Sequence, residues 1–149
     1  MVVIVVIGIA AALVFAMPGE GGYRQLEREA RRLAGALEHA QATAQWQSEA
    51  IGVSTEGSGY RFWRRDNDGR WIAMTDDDVL APHPLPATMT VDVQTYSGAP
   101  VPKDTVIPFR ASGRNEPYTM TLAGSGHSIV VSGDPLGRVR FATAQAATQ

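Results

Sequence analysis

The amino-acid sequence predicts an α+β protein, in which a long N-terminal helix, first hydrophobic and then amphipathic, precedes an antiparallel β-sandwich-like head. Three observations support this: an uncharged apolar run, a following stretch of helical period, and many short strand-like segments separated by turn residues. The 149 residues leave enough chain beyond the apolar run for one domain with a core. We divide the chain into an apolar helix, a hinge, an amphipathic helix, a β-rich head and a frayed tail, at residues 1–17, 18–22, 23–49, 50–142 and 143–149.

The cysteine count and the net charge exclude several kinds of site and argue against one class of protein. The chain has no cysteine, which excludes a disulfide scaffold, a thiolate metal site and cysteine catalysis. Its net charge of -2 argues against a dedicated nucleic-acid-binding protein.

Residues 1–17 contain no charged, amide or hydroxyl side chain. As a helix they would be about 25 Å long, slightly less than the roughly 30 Å hydrocarbon core of a bilayer. A buried soluble helix and a cleaved secretory signal are alternatives, but a membrane helix that lacks its first few residues fits best. The side chains that we assign to a membrane and assembly helix are Val2, Val3, Ile4, Val5, Val6, Ile7, Ile9, Leu13, Val14 and Phe15.

A proline and three glycines at residues 18–22 predict a break or hinge. Beyond it, apolar residues recur every three or four positions up to about residue 47, which predicts an amphipathic helix with one apolar stripe. The stripe consists of Leu26, Ala30, Leu33, Leu37, Ala40 and Ala44. The arginines at positions 24, 28, 31 and 32 either contact anionic lipid or nucleic acid, or form a solvated face with the neighbouring glutamates. The near balance of charges favours the solvated face.

After residue 49 the period becomes strand-like. Turn residues separate eight predicted strands, at 50–55, 60–65, 71–74, 88–94, 105–110, 118–123, 128–132 and 138–142. Residues 76–86, which contain three prolines, are expected to form an ordered but irregular connection.

The sequence contains no convincing catalytic, cofactor or metal site. The run from Asp66 to Gly69 lacks two carboxylates of a calcium loop and fits a hairpin turn better. The three histidines have no ligand-like spacing, and we expect each to be structural or exposed. The most informative polar motif is Arg138 and Arg140, which would point to the same side of a strand and could reach phosphates or carboxylates. Alternatively, they form the outward face of a last strand whose Val139 and Phe141 pack inward.

The run VVIVVIGIAAALV resembles the N-terminal helix of type IV pilin-like proteins. In that family a peptidase site, Gly followed by Phe-Thr-Leu-x-Glu-Leu, precedes the helix. This hexapeptide is absent here, and we expect that Met1 is an internal methionine and that the natural frame begins upstream. Six more residues would lengthen the helix to about 34 Å.

The head is similar to the H-type minor pseudopilins of bacterial type II secretion systems, the GspH/FimT family. The resemblance rests on four stretches, GYRFW at 59–63, WI at 71–72 followed by DDVL at 77–80, PLP at 84–86 and GDPLGRV at 133–139. It implies a structural subunit, not an enzyme, with a single-pass helix in the inner membrane and a periplasmic head. It also implies assembly with other minor pseudopilins, the major pseudopilin and the inner-membrane platform, in contact with membrane lipid, to help export folded proteins across the outer membrane.

The main alternative is a minor pilin that binds DNA during uptake. Gly137 to Arg140 resembles the arginine motif of such proteins. The negative net charge and the lack of a cysteine pair argue against it, and we expect nucleic acid not to be a partner.

Overall fold

The computed structural model describes residues 2–102, 104–124 and 126–144, with side chains described from residue 22 to residue 142 within these ranges. Helix α1 (Val2–Gln47) is followed directly by Ser48 in a left-handed conformation, with φ of 52°. The helix runs without interruption through residues 18–22, where the sequence predicted a break. A proline removes one backbone hydrogen bond, and the helical turns on either side remain. Bending at residues 18–22 stays a prediction.

The predicted membrane side chains, from Val2 to Phe15, lie outside the described side chains. In the described part of the chain, no helix is long and apolar enough to cross a membrane.

Ten strands follow the helix in the described residues. They are β1 (Ile51–Thr55), β2 (Gly59–Arg65), β3 (Trp71–Ala73), β4 (His83–Pro84), β5 (Met89–Tyr96), β6 (Ala99–Pro100), β7 (Ile107–Phe109), β8 (Tyr118–Gly124), β9 (His127–Gly133) and β10 (Val139–Ala144). All eight strands that the sequence predicted are present. Strands β4 and β6 were missed, because two residues are too few to show a period. Strand β10 continues to Ala144, so the predicted frayed tail begins too early, and residues 145–149 lie outside the described part.

The strands form two antiparallel sheets, each of five strands among the described residues. The first has the order β3-β2-β1-β7, with β4 also paired to β2, and the second has the order β10-β9-β8-β5-β6. A bridge between Gly57 and Val91 joins the loop between β1 and β2 to the second sheet. The predicted α+β class, a helix followed by antiparallel sheets, is confirmed.

The helix and the inner faces of both sheets share one hydrophobic core. In the first sheet, alternate residues of adjacent strands face inward, as β pleating requires, and Ile51, Val53 and Phe62 are completely buried. In the second sheet Met120, Leu122 and Val131 are also fully buried. The core therefore lies between helix α1 and the two sheets, which fixes the helix against the head.

Candidate functional site

Helix α1 has one buried face and one open face. The six apolar residues of the predicted stripe are all buried, with Leu26, Leu33 and Leu37 completely inaccessible to solvent. This confirms the amphipathic helix. On the opposite side Arg24, Arg28 and Arg31 are exposed, and no atom lies within 4 Å of the position where Gly35 would carry a Cβ. Trp46, at the end of the helix, is 90% exposed.

The irregular segment at residues 76–86, which we call the connecting segment, is held against helix α1 by two histidine–carboxylate pairs. Nε2 of His39 lies 3.0 Å from Oδ2 of Asp77, and Nε2 of His83 lies 2.8 Å from Oε2 of Glu29. Two leucines of the segment, Leu80 and Leu85, are buried in the core. The helix supplies a carboxylate to one pair and an imidazole to the other, so both contacts depend on where the segment crosses it.

The sequence predicts histidines that are structural or exposed, but it does not indicate these partners. The paired residues are 38 and 54 positions apart, so local spacing carries no signal of them. The third histidine, His127, packs edge-on against Tyr23 with 5.3 Å between the ring centroids.

A buried polar network joins the C-terminal half of α1 to the loop between β7 and β8. Nε2 of Gln41 donates to the hydroxyl of Tyr118 over 3.4 Å, and Nδ2 of Asn115 donates to Oε1 of Gln41 over 3.3 Å. Oδ1 of Asn115 accepts a hydrogen bond from the amide of Arg110 over 2.8 Å. Because buried amides are costly to leave unpaired, this network fixes the loop to the helix.

Two tyrosines at the interface between helix and sheets remain neutral at physiological pH. Burial raises the pKa of Tyr60 to about 12, although the nearby charge of Arg32 lowers it in part. Burial also raises the pKa of Tyr118, and the carboxylates of Glu38 and Asp134 raise it further. Neither phenol therefore supplies a charged or basic group near neutral pH.

Arg138 lies in the turn between β9 and β10, Arg140 lies in β10, and both are exposed. They line one shallow groove of about 290 Å³. Ser132 and Asp134 contribute further polar groups to this groove. Two guanidinium groups beside one carboxylate could hold an anionic group at the surface, and this role stays a prediction.

The alternative expectation, that Val139 and Phe141 pack inward, fits Val139 but not Phe141. Val139 is partly buried against the core, and Phe141 retains 37% exposure. The guanidinium of Arg31 lies 5.9 Å from the ring centroid of Phe141. Val139 and Phe141 therefore lie on the side of the strand that faces the helix, and Arg140 between them is exposed.

The two acidic motifs, which contain Asp66 and Asp77, stabilise local structure by accepting hydrogen bonds from nearby amides. Oδ1 of Asp66 accepts hydrogen bonds from the amides of Asp68 and Arg70, which closes the predicted hairpin. Asp77 turns toward His39 and also accepts bonds from two amides of its own segment. Among the described residues, no three potential metal ligands come together.

Comparison with known proteins identifies the family. A family model described as Type II transport protein GspH matches residues 29–137, which is most of the chain. The chain belongs to the GspH family. It is 27% identical to the Type II secretion system protein H of Aeromonas hydrophila, over 89% of this chain and 83% of that protein.

Solved structures of GspH-type proteins share the fold. The minor pseudopilin EpsH from the type 2 secretion system of Vibrio cholerae superposes with a TM-score of 0.68 at 16% identity, over 82% of this chain and 96% of EpsH. The solution structure of GspH from E. coli gives a TM-score of 0.62 at 16% identity, over 85% of this chain and 93% of that chain. At such identities these structures show the fold alone.

The predicted resemblance to H-type minor pseudopilins of type II secretion is therefore confirmed. GspH membership makes the chain a structural pseudopilin that faces the periplasm, and it implies assembly with other pseudopilins of a secretion system. Nothing in these matches favours the alternative role in DNA uptake.

Proposed function

We propose that this chain is a non-catalytic subunit of the type II secretion pseudopilus that helps to export folded proteins across the outer membrane. It is anchored in the bacterial inner membrane by a single pass of helix α1 and carries its head in the periplasm. Its partners are other minor pseudopilins, the major pseudopilin, the inner-membrane assembly platform and membrane lipid. The observation that carries this proposal is the continuous helix α1, which has one face buried in the head and the opposite face exposed.

The physical basis is the transfer of apolar helix surface. A helix that is compatible with lipid can leave the bilayer only if its apolar side chains are buried again elsewhere, and a bundle of similar helices offers that burial. The apolar residues from Val2 to Phe15 would make these contacts.

The groove at Arg138 and Arg140 is a candidate contact for an anionic group. The carboxylate of Asp134 nearby lowers the net positive charge of the groove, which favours a weak protein contact over a phosphate backbone. Since a DNA-binding role would require phosphate contacts that weaken with salt, it can be tested separately from secretion.

The first experiment is an in-frame deletion in the source bacterium, complemented by the full-length frame. Release of exoproteins into the medium and uptake of added DNA are scored in the same strains. The proposal expects loss of secretion with unchanged DNA uptake. Loss of DNA uptake alone would overturn it and direct attention to the two arginines.

A second strain set separates the arginine groove from the rest of the head. Complementation with Arg138→Gln and Arg140→Gln together is compared with a matched pair in the loop between β7 and β8, Arg110→Gln and Arg114→Gln, which are also exposed. If the groove contacts another subunit, secretion falls in the first pair only. If DNA uptake falls in the first pair while secretion is normal, the secretion role of the groove is wrong.

A further inference from the structure

We infer that Arg24 and Arg28 form a contact site for the phosphate groups of anionic phospholipids at the periplasmic surface of the inner membrane. This inference rests on the proposed anchoring of helix α1. Both side chains are exposed on the face of the helix that points away from the head. Together with Glu27 and Arg31 they line an open groove of about 360 Å³.

The neighbouring charges are already engaged, which leaves these two arginines free. Nη2 of Arg31 lies 2.9 Å from Oε1 of Glu27, and Glu29 is held by His83. Within the described residues, Arg24 and Arg28 form no ion pair and no hydrogen bond. Arg24 and Arg28 therefore offer two guanidinium groups without a partner among the described side chains, and a planar guanidinium binds a phosphate through two parallel hydrogen bonds.

The position along the helix places both charges close to lipid. Arg24 lies seven residues after Met17, about 10 Å along a helix axis, and Arg28 lies about 6 Å further. Helical side chains lean toward the N-terminus, so both long side chains extend back toward the apolar run. The polar headgroup region adds roughly 5 to 8 Å on each side of the hydrocarbon core. Arg24 therefore reaches the headgroups, and Arg28 lies within about one Debye length of them.

Membrane lipid is favoured over an acidic partner helix by continuity along the chain. The apolar run and the two arginines, Arg24 and Arg28, lie on one continuous helix, α1. A basic segment that follows directly on an apolar run is attracted to anionic lipid by an amount that grows with each arginine. A contact of this kind would hold the head at the membrane surface until the subunit is extracted into the fibre.

The test uses the full-length chain reconstituted into vesicles of phosphatidylcholine alone or of phosphatidylcholine with phosphatidylglycerol. Phenylglyoxal labelling of each arginine is followed by mass spectrometry, with Arg110 and Arg114 as exposed reference sites on the head. In phosphatidylglycerol vesicles at low salt, Arg24 and Arg28 should label at least about fivefold more slowly than in phosphatidylcholine vesicles. High salt should remove this protection.

Three outcomes would overturn the inference. Equal labelling rates in the two vesicle types would show that anionic lipid does not contact these arginines. Equal protection by inorganic phosphate in phosphatidylcholine vesicles would indicate a general anion site. Protection that appears only when other pseudopilins are added would assign the face to a protein partner.

A variant pair separates this inference from the proposed anchoring. Because the chain contains no cysteine, a nitroxide attached to Gln25→Cys reports the position of the helix relative to the membrane surface. Its accessibility should depend on phosphatidylglycerol in the otherwise unchanged chain, and this dependence should be lost with Arg24→Gln and Arg28→Gln. The pair Arg110→Gln and Arg114→Gln should retain it. If the protein does not float with either type of vesicle, the anchoring proposal fails; if it floats without a lipid-dependent change, only this inference fails.

Discussion

Two hairpins of the head have the same local chemistry and different surroundings. The turns at residues 66–70 and 134–138 both have the sequence Asp-x-x-Gly-Arg. In each, Oδ1 of the aspartate accepts hydrogen bonds from the amides two and four residues later. The glycines, Gly69 and Gly137, have φ angles of 80° and 88°. The short-range pattern therefore determines the turn in both places.

The two turns differ in what lies beside the glycine. A Cβ at Gly69 would meet only the end of Arg65, at 3.9 Å, whereas a Cβ at Gly137 would lie 2.9 Å from Oε1 of Gln41 on helix α1. Gln41 is buried and hydrogen bonded to Asn115 and Tyr118. The first hairpin is thus a free turn, and the second is packed on the helix. The shared Asp-x-x-Gly-Arg pattern gives the same turn, while tertiary contact decides whether the turn also supports the fold.

The largest expected difference in the free energy of unfolding is between the variants Gly69→Ala and Gly137→Ala. Gly69→Ala should lower the free energy of unfolding by about 1 to 2 kcal/mol, because a left-handed residue with a Cβ is strained. Gly137→Ala should cost about 2 to 4 kcal/mol, since displacing Gln41 also disturbs buried hydrogen bonds. Urea unfolding of the two variants, followed by tryptophan fluorescence, measures both values. Equal losses would show that the packing on the helix contributes nothing.

A smaller loss is expected from the glutamine itself. Gln41→Ala should cost about 1 to 3 kcal/mol, because it leaves the side chain of Asn115 and the hydroxyl of Tyr118 with one partner fewer in a buried site. Combined with Gly137→Ala, the total loss should be less than the sum of the single losses, because both changes disrupt one contact.

The matched control for that cycle combines Gln41→Ala with Gly69→Ala. These sites share no partner, so their losses should add to within about 0.5 kcal/mol. Non-additivity in the control pair would mean that the hairpin at residues 66–70 is also energetically coupled to helix α1. The contrast between the two turns would then be wrong.

The contrast also explains how far the sequence could predict this protein. The hairpin at Asp66 was predicted from its turn residues, and all eight predicted strands were found, because these features depend on neighbours in the chain. The contacts of Gln41 and the partners of His39 and His83 were not predicted, because they join residues 38 to 77 positions apart. The break predicted at Pro18 is absent, because helix α1 is continuous through this position. Proline and glycine indicate a break from the local sequence only, and the helical turns on both sides of them remain. For Arg138 and Arg140, the sequence indicated their shared side, but their role depends on a partner surface that the chain does not contain.

The aspartates of the two turns should give equal effects. Asp66→Ala and Asp134→Ala each remove a carboxylate that accepts two amide hydrogen bonds, with an expected loss of about 1 to 2 kcal/mol apiece. Urea unfolding of both variants under identical conditions is the measurement. A clearly larger loss for Asp134→Ala would mean that this turn depends on its packing even for its local geometry.

The smallest expected effect concerns the connecting segment, a third loop, which two histidine–carboxylate pairs hold to the helix and which buries Leu80 and Leu85 in the core. Partial burial raises the pKa of Asp77, but hydrogen bonds from His39 and from the amides of Val79 and Leu80 outweigh it, and the pKa lies below its ordinary value. A carboxylate with a lowered pKa in the folded state stabilises the fold above its unfolded-state pKa, and this stabilisation is lost as the pH falls through the folded-state value. The side chains of His39 and Asp77 are both partly exposed, so this stabilisation should be about 0.2 to 1 kcal/mol.

Thermal unfolding of Asp77→Asn across acidic pH tests the connecting segment. Asparagine keeps an acceptor for the two amides and removes the charge that faces His39. The variant should melt below the unchanged chain at pH 5 to 6, and the two melting temperatures should converge as the pH falls below about 4. The neighbouring Asp78→Asn, at an exposed position without an ion pair in the described part of the chain, should show no such convergence. A pH-independent difference for Asp77→Asn would mean that the charge of Asp77 does not hold the segment, which would leave that role to the pair of His83 and Glu29 and to the buried Leu80 and Leu85.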